Sequence, residues 1–265
     1  MFLLSDILSA VTLVGVIGLI VGVVLVIASL VFAVPVDERA AAVREQLPGA
    51  NCGACGFSGC DGYAEALSKG KAKVGLCTVG GEETAKAVAS LIGADAGSFE
   101  KKTAVVHCSG TCDVTRKAAA YQGEKSCKAA SMLYSGVGKC TFGCIGFGDC
   151  AAVCEYGAIS VVNGAAIVDR DKCRACGACV AACPHGLIVI EPAIRHASVM
   201  CSSCDKGNVT TKACKAGCVG CMRCTKACEA GAITVMNEHA HVDFDKCTAC
   251  GKCAEVCPRN IIKMI

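Results

Sequence analysis

The sequence predicts an α+β protein with one N-terminal transmembrane helix, a small four-cysteine domain and a tandem pair of cysteine-rich units. Three observations carry this prediction. Residues 7–36 contain no charged residue, the 265-residue chain contains 26 Cys, and most cysteines of its second half recur at a fixed offset. Trp is absent and aromatic residues make up 4% of the chain, which excludes several large aromatic cores. Bound metal can supply the folding free energy that such small units lack.

The uncharged run over residues 7–36 predicts a membrane-spanning helix. About 20 apolar residues suffice to cross a bilayer, so a run of this length spans it with some tilt. A cleaved signal peptide is the alternative, but it requires a basic segment before a shorter apolar core. Here Asp6 precedes the run and no Lys or Arg does. Gly15, Gly18 and Gly22 would let a second helix approach closely, although Gly is common in membrane helices.

A first group of cysteines follows the anchor, in the segment GANCGACGFSGCDGYAEAL. Its spacing is C-x2-C-x4-C, with Cys52, Cys55 and Cys60, and Cys77 follows 17 residues later. The glycines between the cysteines let the backbone curl around a cluster with its N–H groups facing the sulfur atoms. We therefore expect a [4Fe-4S] cluster here. Zinc is the alternative, since any four thiolates can bind it.

Short regular elements are predicted around this group and after it. Helices are expected over residues 39–47, which end before Pro48, and over residues 82–92, which Gly93 follows as a stop signal. A helix over residues 62–69 is expected to bring Cys77 back toward the other three cysteines. A short strand is expected over residues 103–106.

The segment from Cys218 to Cys257 contains the most specific pattern in the chain. It holds C-x2-C-x2-C-x3-C twice, separated by an 18-residue insert. Bacterial ferredoxins use this run for [4Fe-4S] clusters, and the fourth Cys of each run binds the other cluster. Neither a zinc ribbon nor a disulfide framework needs four Cys at these intervals. The expected ligand sets are Cys218, Cys221, Cys224 and Cys257, and Cys247, Cys250, Cys253 and Cys228.

The C-terminal half of the chain is an internal duplication with an offset of 74 residues. Eight cysteines occur in both copies: Cys140, Cys144, Cys150, Cys154, Cys173, Cys176, Cys179 and Cys183 correspond to Cys214, Cys218, Cys224, Cys228, Cys247, Cys250, Cys253 and Cys257. Alternating apolar residues around Asn163 and Asn237 predict a β-hairpin in each copy.

One position breaks the correspondence, because Phe147 stands where the second copy has Cys221. We expect Cys140 to supply the missing ligand. The expected ligand sets of the first copy are then Cys140, Cys144, Cys150 and Cys183, and Cys173, Cys176, Cys179 and Cys154.

Six cysteines fall outside these sets and form two trios: Cys108, Cys112 and Cys127, and Cys201, Cys204 and Cys214. Each trio could hold a [3Fe-4S] cluster, or a [4Fe-4S] cluster with a fourth ligand from elsewhere. A second partition groups Cys108, Cys112, Cys127 and Cys140, and Cys201, Cys204, Cys214 and Cys218, but it leaves each unit one ligand short. Unbound thiols are a third interpretation, since free Cys is often a small buried residue.

These assignments divide the chain into five segments. They are a transmembrane anchor over 1–36, a four-Cys [4Fe-4S] domain over 37–95, a connector with a Cys trio over 96–136, ferredoxin-like unit 1 over 137–192, and a Cys trio plus ferredoxin-like unit 2 over 193–265. We expect at least five [4Fe-4S] clusters, and six or seven if the trios bind clusters as well.

The residue pattern indicates electron transfer rather than bond chemistry. Thiolate ligands must stay reduced, which places the cluster domains in the cytoplasm and the N-terminal end of the anchor outside. The formal charge of +3 omits the thiolates and the anionic clusters, and no basic stripe with interleaved aromatic residues supports nucleic-acid binding. We find no P-loop, no G-x-G-x-x-G after a strand and no nucleophile–base pattern, so no catalytic residues are expected.

An anchor, the motif C-G-A-C-G-F-S-G-C and tandem ferredoxin-like units together resemble the B subunit of the Rnf complex, the ion-translocating ferredoxin:NAD oxidoreductase. The resemblance covers nearly the whole chain, and LPGANCGACGFSGCDGYAEA is its most specific stretch. The segment GCIGFGDCAAVCEYGAI is similar to the long clostridial and acetogen-type members. The two trios and Phe147 depart from the family pattern and leave the number of clusters open.

The resemblance implies a subunit that accepts electrons from reduced soluble ferredoxin and relays them to other membrane and peripheral subunits. The complex then reduces NAD and translocates Na+ or H+. It also implies a single-pass protein in the lipid bilayer of the inner (cytoplasmic) membrane. Unit 2 is farthest from the anchor in sequence, so we expect electrons to enter there and to leave through the four-Cys domain.

Two other functions are compatible with the residues. The Cys52–Cys77 motif also resembles a domain of corrinoid and carbon monoxide dehydrogenase-associated proteins. The chain would then be a membrane-held polyferredoxin adapter of another redox enzyme. The other function is an iron–sulfur redox sensor, in which loss of the cluster is the signal.

Overall fold

The computed structural model describes residues 2–31, 37–97, 99–133 and 135–265. The fold is α+β, as predicted. The helices are α1 Phe2–Val31, α2 Glu38–Gln46, α3 Cys60–Ser68, α4 Gly81–Ile92, α5 Cys127–Ser131, α6 Asp149–Ala152, α7 Ala178–Ala182, α8 Gly207–Ala213, α9 Arg223–Ala227 and α10 Lys252–Glu255. The strands are β1 Lys102–Val106, β2 Ile159–Val162, β3 Ala165–Val168, β4 Ile188–Pro192, β5 Ala197–Val199, β6 Ile233–Met236, β7 His239–Val242 and β8 Ile262–Met264.

Helix α1 is the candidate membrane span. The stretch Val11–Val31 has a mean hydropathy of 3.0 and is not buried against the rest of the protein. Its 21 residues rise about 31 Å at 1.5 Å per residue, which matches the thickness of the hydrocarbon core. The hydroxyl groups of Thr12 and Ser29 donate hydrogen bonds to carbonyls of the same helix, so these donors are satisfied without water. Residues 32–36, the end of the predicted run, lie outside the described residues.

Helices α2, α3 and α4 pack together as the four-cysteine domain, and the three predicted helices are confirmed. Val43 of α2 and Tyr63 of α3 are buried in its core. The Tyr63 hydroxyl donates a hydrogen bond to the carbonyl of Lys73 at 2.9 Å and accepts one from the N–H of Leu76 at 3.2 Å. These two bonds hold the segment that follows α3 against that helix, and so they bring Cys77 back to it.

Each ferredoxin-like unit contains two antiparallel strand pairs. In unit 1, β2 pairs with β3 and β1 pairs with β4; in unit 2, β6 pairs with β7 and β5 pairs with β8. The hairpins predicted around Asn163 and Asn237 are confirmed. Both turns have two left-handed residues, Asn163–Gly164 (φ 48° and 76°) and Asn237–Glu238 (φ 49° and 67°). This backbone combination is typical of the type I′ turn, whose twist matches that of the paired strands.

The strand predicted over residues 103–106 is confirmed as β1, and its pairing with β4 makes it part of unit 1. Thr103 lies opposite Glu191 and Val105 lies opposite Val189. The segment predicted to be a connector therefore supplies a structural strand, because its apolar residues complete the buried face of the unit. Ala104 and Val106 both contribute to that core.

A buried polar network fixes the two units relative to each other. The Glu191 side chain on β4 has no exposed surface and accepts hydrogen bonds from His107 Nε2 at 2.5 Å, His196 Nε2 at 2.9 Å and Ser198 Oγ at 3.2 Å. Ser198 belongs to β5 of unit 2. Burial alone would raise the pKa of Glu191, but the bonds from His107 and His196 outweigh it and lower the pKa. The network therefore holds an ionised carboxylate at the boundary between the units.

Candidate iron–sulfur centres

The four predicted ligands of the first domain lie close together. Cys52 and Cys55 are in the loop before α3, Cys60 is the first residue of α3, and Cys77 is on the returning segment. Burial raises the pKa of the Cys77 thiol, and the nearby thiols of Cys60, Cys52 and Cys55 raise it further. The N–H of Gly80 donates to Cys77 Sγ at 3.4 Å. The structure therefore brings together the whole set.

One predicted set of unit 1 is also brought together: Cys154, Cys173, Cys176 and Cys179. These residues line one cavity. Burial raises the pKa of Cys179 to about 11, and the other three thiols raise it further. Strand β1 contributes to this site directly, because the N–H of Ala104 donates to Cys173 Sγ at 3.3 Å.

The second set of unit 1 differs from the prediction in one member. The residues that line its cavity include Cys127, Cys144, Cys150 and Cys183. Burial raises the pKa of Cys150 to about 11, and the three other thiols raise it further. Cys140 does not line this cavity. The structure therefore places Cys127, and not the predicted Cys140, beside the other three thiols.

Helix α5 positions Cys127 through contacts with α6. Asp149 accepts hydrogen bonds from the N–H groups of Cys127 at 2.8 Å and Lys128 at 3.0 Å, and from the hydroxyl of Ser126 at 2.9 Å. Burial would raise the pKa of Asp149, but these hydrogen bonds lower it. Because Asp149 immediately precedes Cys150, these hydrogen bonds hold Cys127 next to Cys150 and the other thiols of the set. The sequence names Cys127 only as a member of a trio, because no ligand spacing connects it to this set and only the tertiary contact with Asp149 does.

Unit 2 assembles both of its predicted sets. They are Cys218, Cys221, Cys224 and Cys257, and Cys228, Cys247, Cys250 and Cys253. The first set lines one cavity. Burial raises the pKa of Cys224 to about 11 and also raises that of Cys253. The fourth cysteine of each run lies with the other run, which is the exchange that the ferredoxin spacing predicts.

The two predicted trios do not stay together as trios. Cys108, Cys201 and Cys214 instead line a cavity between the two units, together with Cys140. Cys112 and Cys204 are exposed and line none of these cavities. The second partition, which groups Cys112 with Cys108 and Cys204 with Cys201, is therefore not the arrangement in the structure.

The four-thiol sets fit [4Fe-4S] clusters by donor chemistry and surroundings. All 26 cysteines lie in the described residues and are free thiols. Backbone N–H groups donate to their sulfur atoms, for example from Leu187 to Cys183 at 3.4 Å and from Ala232 to Cys228 at 3.3 Å, and such bonds tune cluster potentials.

A candidate transmembrane helix followed by a small four-cysteine domain and two ferredoxin-like units defines an iron–sulfur protein of the polyferredoxin class. Family models agree with this class at three places. A model described as "Putative Fe-S cluster" matches residues 47–79, a "4Fe-4S binding domain" matches residues 166–189, and a "4Fe-4S dicluster domain" matches residues 217–261.

Curated relatives match almost the whole chain. The B subunit of the Na(+)-translocating ferredoxin:NAD(+) oxidoreductase complex of Acetobacterium woodii is 44% identical, over 98% of this chain and 78% of its own length. The B subunit of the ion-translocating oxidoreductase complex of Methanosarcina acetivorans is 40% identical over 98% and 99%. The B subunit of the proton-translocating ferredoxin:NAD(+) oxidoreductase complex of Clostridium ljungdahlii is 38% identical over 94% and 89%. The chain belongs to the family of Rnf complex B subunits and is an iron–sulfur electron-transfer subunit.

Proposed function

We propose that this chain accepts electrons from reduced soluble ferredoxin and relays them to the membrane and peripheral partner subunits. Those subunits reduce NAD and translocate Na+ or H+. A bound [4Fe-4S] cluster takes up and releases one electron, at a potential set by its type, hydrogen bonds and exposure. The observation that carries the proposal is the succession of four-thiol sets from the anchor-proximal domain through both units. The chain's own residues bind the clusters and tune them through N–H bonds to sulfur.

Contacts between the first domain and unit 1 support a continuous route. Thr78, which follows Cys77, donates a hydrogen bond from its hydroxyl to the carbonyl of Ala175 at 3.2 Å. Ala175 lies between two cysteines of the unit 1 set. Cys52 and Cys176 line one cleft between the domain and the unit. The first set therefore lies beside the nearest set of unit 1, and we propose that electrons leave unit 1 in this direction, toward the membrane.

The proposal places the cluster-bearing part of the chain on the cytoplasmic side of the inner membrane. Cysteine ligands that remain thiolates require a reducing compartment, and helix α1 precedes every cysteine in the sequence. The coupling ion is assigned to the partner subunits. Relatives named for Na+ and for protons match this chain at 44% and 38% identity, so the likeness of this subunit does not select one of them.

Inverted membrane vesicles that carry the whole complex test this function. C218S and C247S each remove one ligand of a different unit 2 set, and both variants are expected to lose NAD reduction driven by reduced ferredoxin. C204S is the matched control, because Cys204 is exposed and lies outside the sets; its rate should equal that of the unchanged complex. Immunodetection of the subunits shows whether the complex assembles. Unchanged rates in assembled C218S and C247S complexes would refute the relay and favour the adapter or the sensor.

A further inference from the structure

Four cysteines that belong to none of the five sets meet at the boundary between units 1 and 2. Cys108, Cys140, Cys201 and Cys214 line a single cavity, together with Cys144 of a unit 1 set. The surroundings of Gly110 show how closely cysteines of the two units approach each other. A Cβ added there would lie 3.3 Å from Cys108 Sγ and 3.8 Å from Cys214 Sγ, so sulfur atoms from both units face the same space.

The four residues form two equivalent pairs. Cys108 and Cys140 come from the unit 1 side of the boundary, and Cys201 and Cys214 come from the unit 2 side. Cys108 comes two residues after β1, and Cys201 comes two residues after β5. These strands play the same part, since β1 pairs with β4 and β5 pairs with β8. Cys140 and Cys214 correspond through the 74-residue offset. Duplication thus brings two equivalent pairs of thiols face to face, as an isologous interface brings together the same surface of two subunits.

We propose that Cys108, Cys140, Cys201 and Cys214 bind a sixth [4Fe-4S] cluster, which bridges the two ferredoxin-like units. The donor set is complete, with four thiols around one space. Hydrogen-bond donors already point at three of the sulfur atoms. The N–H of Gly110 donates to Cys108 Sγ at 3.4 Å, and Thr115 Oγ1 donates to Cys214 Sγ at 3.4 Å.

The remaining hydrogen bonds connect this site to a neighbouring set on each side. The N–H of Cys144, a member of a unit 1 set, donates to Cys108 Sγ at 3.3 Å. The N–H of Cys218, a member of a unit 2 set, donates to Cys201 Sγ at 3.2 Å. The same bond thus occurs in both copies, and each links the bridging site to a ligand of the adjacent cluster. A relay through this site rests on the proposed function, whereas the binding of the cluster does not.

The surroundings agree with a bound cluster. Cys201 and Cys214 are buried, and Cys108 and Cys140 are partly buried. The thiol of Cys140 lies near that of Cys214 from the other unit. Four thiols in such a place ionise when iron binds them, because metal coordination deprotonates a thiol.

Native mass spectrometry and iron analysis of the full-length chain, purified anaerobically in detergent, test the site. The unchanged chain should contain six clusters and about 24 iron atoms. The double variant C140S/C214S removes one ligand from each unit and should contain five clusters and about 20 iron atoms. The matched double variant C112S/C204S changes two exposed cysteines that line no cavity described above, and it should keep all six.

Each outcome decides one statement. Five clusters in the unchanged chain would overturn the site, whether or not C140S/C214S folds. Six clusters in C140S/C214S would overturn it as well. C140S/C214S complexes that hold five clusters and still reduce NAD from ferredoxin at the unchanged rate would overturn the bridging role while leaving the site in place. A failure of C218S to stop ferredoxin-driven NAD reduction concerns the proposed function alone, since it does not alter the cluster count of the unchanged chain.

Discussion

Replacement of Cys127 by Ser tests the correction that the structure makes to the ligand set of unit 1. The structure places Cys127 with Cys144, Cys150 and Cys183, so the C127S variant retains three of four thiolates there. Three thiolates can hold a [3Fe-4S] cluster. The iron content should therefore fall by about one atom per chain if that product persists and by about four if the cluster is lost.

A second substitution should reverse this loss. Phe147 occupies the position of Cys221, and its neighbours adopt the same left-handed backbone in both copies. Gly146 and Gly148 have φ values of 84° and 88°, and Gly220 and Met222 have values of 61° and 57°. A Cys at position 147 is therefore presented by a loop of the same form. We expect C127S/F147C to regain a four-iron cluster.

Iron analysis, native mass spectrometry and EPR of the anaerobically purified full-length chain make the measurement. C127S should show the EPR signal of an oxidised three-iron cluster or one cluster fewer by mass. C127S/F147C and the control C112S should match the unchanged chain. The reasoning is refuted if C127S keeps every cluster while C140S loses the unit 1 cluster, because Cys140 would then be the ligand that the repeat alignment predicts.

Three further substitutions probe the residues that position the sets. D149A removes three hydrogen bonds to the start of α5, so we expect Cys127 to be displaced and the iron content to fall as in C127S. D149N should lose less iron, and equal loss in both variants would contradict the role of the carboxylate. E191Q replaces a buried carboxylate that accepts three hydrogen bonds and should lower the free energy of unfolding by about 1.5–3 kcal/mol. Denaturant titration of the anaerobic chain measures this, and an unchanged midpoint would show that the network does not stabilise the boundary. Y63F deletes the hydroxyl that holds the segment carrying Cys77. It removes two hydrogen bonds to the backbone, which should lower stability by about 1–3 kcal/mol and speed release of iron to a chelator from one cluster only. Release spread equally over all clusters would contradict this.

Local spacing predicts most of the candidate site because the ligands of a ferredoxin run are held by one loop and one helix turn. The sets that contain Cys52, Cys179, Cys224 and Cys253 assemble as their spacing predicts. The three helices of the first domain and both hairpins follow from equally local signals, namely caps and alternating apolar residues.

Contacts between distant segments account for what the sequence does not predict. Cys127 reaches its set through Asp149, and no spacing rule connects the two residues. The pairing of β1 with β4 joins segments that are separated by the whole of the unit 1 motif. Cys140 lies near Cys214 because of the way the two units are placed relative to each other, and the offset of a repeat does not determine that placement. Repeats predict equivalence, but not which equivalent residues face each other.

The pairing of β5 with β8 has a consequence for the order in which the protein is built. Strand β8 comes after every cysteine in the sequence, yet it holds β5, the strand that leads into Cys201. During synthesis, unit 1 has all of its strands and ligands once the ribosome has passed Pro192. The boundary between the units is secured only after Met264. Clusters should therefore form first in the domains near the membrane helix and later in unit 2, and the boundary between the two units should form last. A chain that terminates early would then hold clusters in unit 1 but would have no route for electrons between unit 1 and unit 2.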